Sequence, residues 1–312
     1  MYFSQQVDKL FIPEAKLMFS LAECVPWLAV FLILSLAIII LNLITIIVFI
    51  KNRSLRKRST YLMISLAVAD MLAGVFYTDH FTTLGANFCN LWERIVPVKV
   101  AVYMTYFSFL FPIASVTNIS AISLERLHAT IYPLRHHVMQ KWIYGLIVAI
   151  IWVTAGLLST GAVVLEQFIQ RSHSFYLWNS FNLICLLIIS VSYASIVIKF
   201  RYGAQPQHHG AASRERKVTM TLLIVTVVSL LIWLPFVIIS FLYFTTDIFS
   251  SVSQIAFVRL NTVLIVFYYA NSLVNPILYT ARMPDFRRAF VALFRRRPQQ
   301  LNQAPVIPLR GM

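Results

Sequence analysis

Apolar residues in this chain come in long uninterrupted runs, broken by short polar segments rich in Lys and Arg. Seven runs of about 20 residues or more, each bounded by charge, cover 26–50, 60–84, 98–125, 142–165, 176–199, 217–244 and 255–280. Each is too long for a buried helix of a small soluble domain. In lipid every backbone polar group must be paired within its own segment, so the pattern predicts seven membrane-spanning helices. After the seventh, Phe286, Phe290, Leu293 and Phe294 fall on one helical face with arginines on the other. Residues 284–297 are therefore predicted to form an amphipathic helix on the membrane surface. The expected organisation is an N-terminal tail at 1–25, an all-α bundle at 26–283, the surface helix, and a polar, disordered tail at 298–312. The first residues lack a signal-peptide pattern, so span one is expected to act as an uncleaved anchor.

Composition agrees with lipid as the solvent. Of 312 residues, 59% are hydrophobic and 12% charged, about half the usual charged fraction of a soluble domain. The net charge of +15 would suit nucleic acid, but its distribution does not. Basic residues cluster at Lys51 to Arg58, at Arg126, Arg135 and Lys141, at Lys199 to Lys217, and from Arg282 onward. The opposite loops hold Lys9, Lys16, Arg94, Lys99, Arg171 and Arg259. The positive-inside rule predicts a multi-pass protein of the plasma membrane with its N-terminus outside and its C-terminus in the cytoplasm.

An ionisable group within a span is costly and marks function by default. Asp70, mid-span in LAVADML, is the clearest. Ser115, Asn271, Ser272 and Asn275 lie at similar depth. A carboxylate among hydroxyl and amide oxygens suits a small hard cation, here Na⁺. The alternative is a protonated Asp hydrogen-bonded for packing. Glu125 and Arg126 close span three at the cytoplasmic boundary, and Glu215 opens span six. A guanidinium fork suits bidentate carboxylate contact, so an Arg126–Glu215 link would tie spans three and six. Breaking it would open a cytoplasmic cavity. An interfacial Glu125–Arg126 pair worth little is the plainer reading. Pro235 and Pro276 predict kinks in spans six and seven.

Cys24 and Cys89 both fall near the outer surface, where disulfides persist. A bridge and two unpaired thiols both remain open, since spacing does not give the Cα separation. Cys185 lies in span five, and the three cysteines show no metal-ligand spacing.

Taken in order, Asn42, LAVAD ending at Asp70, Trp92, Glu125-Arg126-Leu127 with IYPLR, Trp152, Tyr193, Trp233-Leu234-Pro235 and Asn271 to Tyr279 (NSLVNPILY) resemble the rhodopsin-like (class A) G-protein-coupled receptors. The similarity runs from Asn42 to Phe294. It implies that Arg126 engages a heterotrimeric G protein when active and Glu125 or Glu215 when resting. It also implies that Tyr193 and Tyr279 turn inward to support the active state, and that Trp233 transmits contact from an extracellular ligand. Asp70, Ser115, Asn271, Ser272 and Asn275 would hold allosteric Na⁺, with no other cofactor expected.

The chain departs from the family pattern at several points. Ala101 stands where the family carries the bridging Cys of span three, residues 166–178 contain no Cys, and Cys185 replaces the usual proline of span five. This combination resembles the melanocortin, lysophospholipid and cannabinoid receptor branch. Ser108 occupies the place of the amine-binding Asp, and Tyr269 that of the retinal-binding Lys. The expected ligand pocket is His80, Tyr103, Phe107, Ser108, Phe111, Trp233, Phe236, Ser240, Ile265 and Tyr269. Such an aromatic cavity with few polar groups favours a lipid or small amphipathic ligand. An acidic rim of Asp79, Glu93, Glu166 and Asp247 makes a basic peptide the second choice.

A transporter or channel would also combine many spans with buried polar residues, but its paired broken helices and internal repeats are missing from this pattern. No constellation of nucleophile and base, metal ligands or paired carboxylates lies within the spans, so an enzyme is not expected.

Overall fold

In the computed structural model, residues 19–55, 58–93, 96–169, 171–202, 211–246, 248–249 and 251–294 are described. The side chains at 54, 80, 87, 88, 137, 171, 211–219, 221, 222, 225, 226, 229, 230, 244 and 254 lie outside that description. The described chain is helical: α1 (Leu21–Lys51), α2 (Thr60–Thr83), α3 (Val98–Ile131), α4 (Pro133–Val138) and α5 (Lys141–Phe168). It continues with α6 (Arg171–Tyr202), α7 (Ala211–Thr245), α8 (Gln254–Arg282) and α9 (Pro284–Phe294).

Helices α1, α2, α3, α5, α6 and α8 are long and apolar enough to cross a bilayer. The 35-residue α7 contains the apolar run Leu231–Tyr243. With α4 and α9 as short connecting and terminal helices, the long ones form the predicted seven-helix bundle. α3 is its central element, packed against α2, α5 and α6, while α8 closes the ring against α1 and α7.

Apart from α2, the spanning helices outrun the apolar stretches that announced them. α1 begins at Leu21 rather than 26 because Ser20 and Glu23 form a capping box. The Glu23 amide donates to Ser20 Oγ at 3.3 Å, and the Ser20 amide donates to Glu23 Oε2 at 3.0 Å. Capping satisfies donors that the apolar pattern does not register. The 31 residues of α1 span about 46 Å, more than the roughly 30 Å hydrocarbon layer.

Small residues allow close approach between α1 and α2. Ser35 Oγ donates to the Gly74 carbonyl at 2.8 Å. A Cβ on Gly74 would stand 2.7 Å from Ile38 Cγ2. Small-residue contacts of this kind bring helices together in lipid, where no hydrophobic force does so.

Two apolar clusters fill the interior. One lies at the end where Cys24 and Cys89 form a disulfide with Cα atoms 6.0 Å apart, and it holds Trp178, Trp233 and Tyr269. The other lies at the α9 end and holds Phe49, Tyr144, Tyr193, Tyr279 and Phe286. α9 seats Phe286 against Phe49 and Tyr279, with ring centroids 5.2 and 5.9 Å away. The predicted surface helix ends at Phe294, and its remaining residues 295–297 lie outside the described set.

Candidate functional site

Between the two clusters sits a polar knot. Asp70 on α2 is 0% exposed. Its Oδ1 accepts from Ser115 Oγ of α3 at 2.8 Å and from Ser272 Oγ of α8 at 3.0 Å. Its Oδ2 accepts from Asn275 Nδ2 at 2.8 Å. Asn42 of α1 joins through Nδ2, which donates to the Ser272 carbonyl at 3.0 Å. One carboxylate thus gathers α2, α3 and α8, and Asn42 adds α1 through Ser272. An amide nitrogen can only donate, so Oδ2 acts as an acceptor.

A cavity of about 40 Å³ lies alongside, lined by Ser115, Trp233, Tyr269, Asn271 and Ser272 among others. By the same measure one water needs about 10–15 Å³. Asn42 Oδ1, Asn271 Oδ1 and Asn275 Oδ1 are buried without a hydrogen-bond partner among the described residues. Buried acceptors of this kind call for a donor or a cation. A carboxylate, two hydroxyls whose protons already point at it, and open amide oxygens form an oxygen-only donor set. That set fits a small hard cation or ordered water.

Toward α9, Glu125 and Arg126 pair side by side on α3. Arg126 Nη2 donates to Glu125 Oε1 at 2.6 Å, and its Nε donates to Oε2. Their side chains are only 3% and 4% exposed. The solvated interfacial pair weighed from the sequence is therefore a buried one. His136 on α4 and Tyr144 on α5, neither of them singled out above, converge on the same carboxylate. His136 Nε2 lies 2.8 Å and the Tyr144 hydroxyl 3.3 Å from Oε1. The side chain of Glu215 lies outside the described residues, so its expected link to Arg126 is not part of this geometry. Tyr193 and Tyr279 are buried in the same cluster. Tyr279 packs on Phe49 and Phe286, and its hydroxyl has no hydrogen-bond partner among the described residues.

Toward the disulfide, aromatic rings dominate. Trp233 meets Trp178 edge-on at 6.3 Å and stacks with Tyr268 at 6.2 Å. Phe236 lies 4.8 Å from Tyr268 and 6.0 Å from Trp178. Tyr269 lies 4.1 Å from Tyr77. Phe107 and Phe111 stack at 5.6 Å, with Phe76 of α2 at 4.8 and 5.2 Å.

Of the expected pocket residues, Trp233 and Tyr269 line the cavity, while Phe107, Phe111, Phe236 and Ile265 belong to the surrounding cluster. Ser240 is half-buried, and Ser108 is exposed with its hydroxyl donating to the Thr105 carbonyl at 2.7 Å. The side chain of His80 lies outside the described residues. Tyr103 must be corrected. It is 62% exposed although it stands one turn before Phe107, because it lies in the first turns of α3, where Val98 and Val100 are exposed as well.

Trp178, Tyr268, Tyr77 and Phe76 were missed. For Trp178 a signal existed, since Trp178, Asn182, Cys185, Ile189, Tyr193 and Ile196 form a buried stripe at helical spacing.

Residues 41–279 match the family described as 7 transmembrane receptor (rhodopsin family). The chain is 22% identical to a QRFP-like peptide receptor of Branchiostoma floridae, covering 90% of this chain and 80% of that protein. It is 26% identical to the histamine H2 receptor of Canis lupus familiaris, covering 80% and 74% respectively. It is 25% identical to melanocortin receptor 5 of Rattus norvegicus, covering 84% and 82%. The polar knot, the buried Glu125–Arg126 pair and this match along most of the chain identify it as a multi-pass membrane protein belonging to the rhodopsin family of seven-transmembrane receptors.

Proposed function

We propose that this receptor sits in the plasma membrane with its disulfide end outside and α9 inside. There it binds a lipid or small amphipathic ligand and activates a heterotrimeric G protein. The observation that carries the reading is that, among the described residues, α3 bears both polar centres. Ser115 holds Asp70, and three turns further on Arg126 is clamped by Glu125. A shift of α3 at one centre is transmitted along a rigid helix to the other.

In this reading Arg126 leaves Glu125 to meet the G protein, and Glu215 restrains α7 at rest. Tyr193 and Tyr279 reorient inward as the arginine moves. Trp233 couples the aromatic cluster to the cavity beside Asp70. Asp70, Ser115, Asn271, Ser272 and Asn275 are the residues that would hold Na⁺, supported by the orphaned amide oxygens of Asn271 and Asn275. A bound cation would supply positive charge to the carboxylate and favour the arrangement that keeps α2, α3 and α8 together.

The aromatic lining and Ser108 in place of an acid support an apolar or amphipathic ligand over an amine. A peptide is the second reading, favoured by the Branchiostoma relative, which is a peptide receptor by name.

The test is guanine-nucleotide exchange on purified G proteins by the reconstituted chain, screened with lipid, amphiphile and peptide panels, with ion flux as the counter-assay. Exchange stimulated by a lipid or amphiphile, without flux, is the expected result. Stimulation by peptides alone would move the ligand to the second reading. Flux without exchange would make the chain a channel or transporter. Epitope tags on both ends should report opposite compartments.

A further inference from the structure

The Glu125 carboxylate carries more partners than an ion pair with Arg126 needs. Oε1 lies 2.6 Å from Arg126 Nη2, 2.8 Å from His136 Nε2 and 3.3 Å from the Tyr144 hydroxyl. His136 Nε2 and the Tyr144 hydroxyl are themselves 3.1 Å apart. A carboxylate oxygen only accepts, so Nε2 at that distance carries a hydrogen, and the Tyr144 hydroxyl donates to Oε1 as well. His136 belongs to α4, the short helix between α3 and α5, and its ring packs on His128 at 5.8 Å. Arg58, between α1 and α2, donates to the His136 carbonyl at 3.4 Å and fixes that residue from the other side.

The energetics of releasing Arg126 give these contacts a role. A buried carboxylate stripped of its guanidinium partner pays a heavy desolvation cost, which would lock the pair shut. Two donors that stay on Oε1 after the guanidinium leaves reduce that cost. We infer that His136 and Tyr144 are positioning residues of the switch: they keep the Glu125 carboxylate hydrogen-bonded when Arg126 leaves it, and so make the released state accessible. The inference rests on the receptor reading for its consequence in signalling, and on the geometry alone for the contact. It also ties α4 to the arginine, since displacing that helix withdraws the histidine.

The experiment uses the full chain in lipid nanodiscs with His136→Phe, His136→Gln, Tyr144→Phe and Glu125→Gln. Phenylalanine keeps the ring and its packing but removes the donor, whereas glutamine restores an N–H donor. Tyr144→Phe deletes one oxygen and keeps the buried ring. The first readout is infrared difference spectroscopy of the carboxylate band that disappears in Glu125→Gln. That band should move in both phenylalanine variants and return toward its wild-type position in His136→Gln. The second readout is ligand-independent nucleotide exchange. It should fall about tenfold in each phenylalanine variant, the size expected for one hydrogen bond to a charged group. It should recover in His136→Gln, and His136→Phe should have no effect in the Glu125→Gln background. An unmoved band in both phenylalanine variants overturns the contact. A moved band with unchanged or increased exchange overturns the proposed role. If wild type catalyses no exchange with any G protein, the receptor reading falls while the infrared arm still decides the contact.

Discussion

Asn275 Nδ2 donates to Asp70 Oδ2 at 2.8 Å, joining α8 to α2 across 205 residues of sequence. The bond lies next to Pro276, where α8 lacks a backbone hydrogen bond. The polar knot is thus fastened to the one turn of α8 that bends most easily.

Replacing Asp70 with Asn keeps the side-chain size and removes the charge. Its new amide either presents a donor to the Asn275 donor or turns its oxygen there, so that the Ser115 and Ser272 hydroxyls must rotate to accept from its NH₂. Agonist affinity should lose its dependence on sodium while remaining measurable in potassium. Radioligand or fluorescent-ligand titration in the two salts checks this. Sodium dependence equal to wild type would rule out the cation site.

Glu125→Gln weakens the clamp on Arg126 at its charged partner. Hydrogen bonds to charged groups contribute about 1.5–3 kcal/mol, so basal nucleotide exchange should rise by about tenfold or more. Glu215→Ala should also raise it if that residue restrains α7. Exchange assays at matched receptor levels separate the two, and unchanged basal output in Glu215→Ala would remove Glu215 from the switch.

Gly74→Ala tests the α1–α2 contact. The added methyl would stand 2.7 Å from Ile38 Cγ2, so the helices must part or Ile38 must turn. Overpacking of this kind costs about 1–3 kcal/mol. A lowered midpoint in detergent thermal unfolding is expected, and the Gly74→Ala penalty should be smaller in an Ile38→Ala background, which lacks Cγ2.

Cys24→Ser or Cys89→Ser opens the disulfide that ties the start of α1 to the segment after α2. The loss should be about 2–4 kcal/mol, read as lower thermal stability and a changed mobility on non-reducing gels. Arg259→Gln removes the nearby pair with Glu23, whose side chains are 50% and 39% exposed. Solvent screens so exposed a pair, so the change should lower thermal stability less than opening the disulfide does. A larger effect for Arg259→Gln than for either cysteine would invert the assigned order of importance.

Much of the candidate site was legible because lipid is an unforgiving solvent. Asp70, Ser115, Ser272 and Asn275 stood out as polar residues at one depth in apolar runs, and such residues must find each other. The ends of the helices were less legible. Ser20 and Glu23 read as polar flank until their reciprocal bonds are seen. His136 was invisible for a related reason: a histidine in a short polar connection reads as solvated, and Tyr144 near a span boundary reads as an interfacial aromatic. Tyr103 shows the opposite error, an aromatic of the right type that lies too near the exposed start of α3 to be packed.

The sequence by itself determined the number and order of the spanning helices, and that Asp70 and the polar residues at its depth had to be buried together, because the hydrophobic length of a bilayer and the need to pair every buried polar group act on each segment separately. Which donor meets which acceptor was decided only by tertiary structure. Glu125 takes His136 and Tyr144 because α4 and α5 bring them within hydrogen-bond reach, and Trp233 takes Trp178 and Tyr268 because α6 and α8 turn those rings inward. Hydrogen bonds and ring contacts depend on rotations and separations between helices, which no single segment encodes.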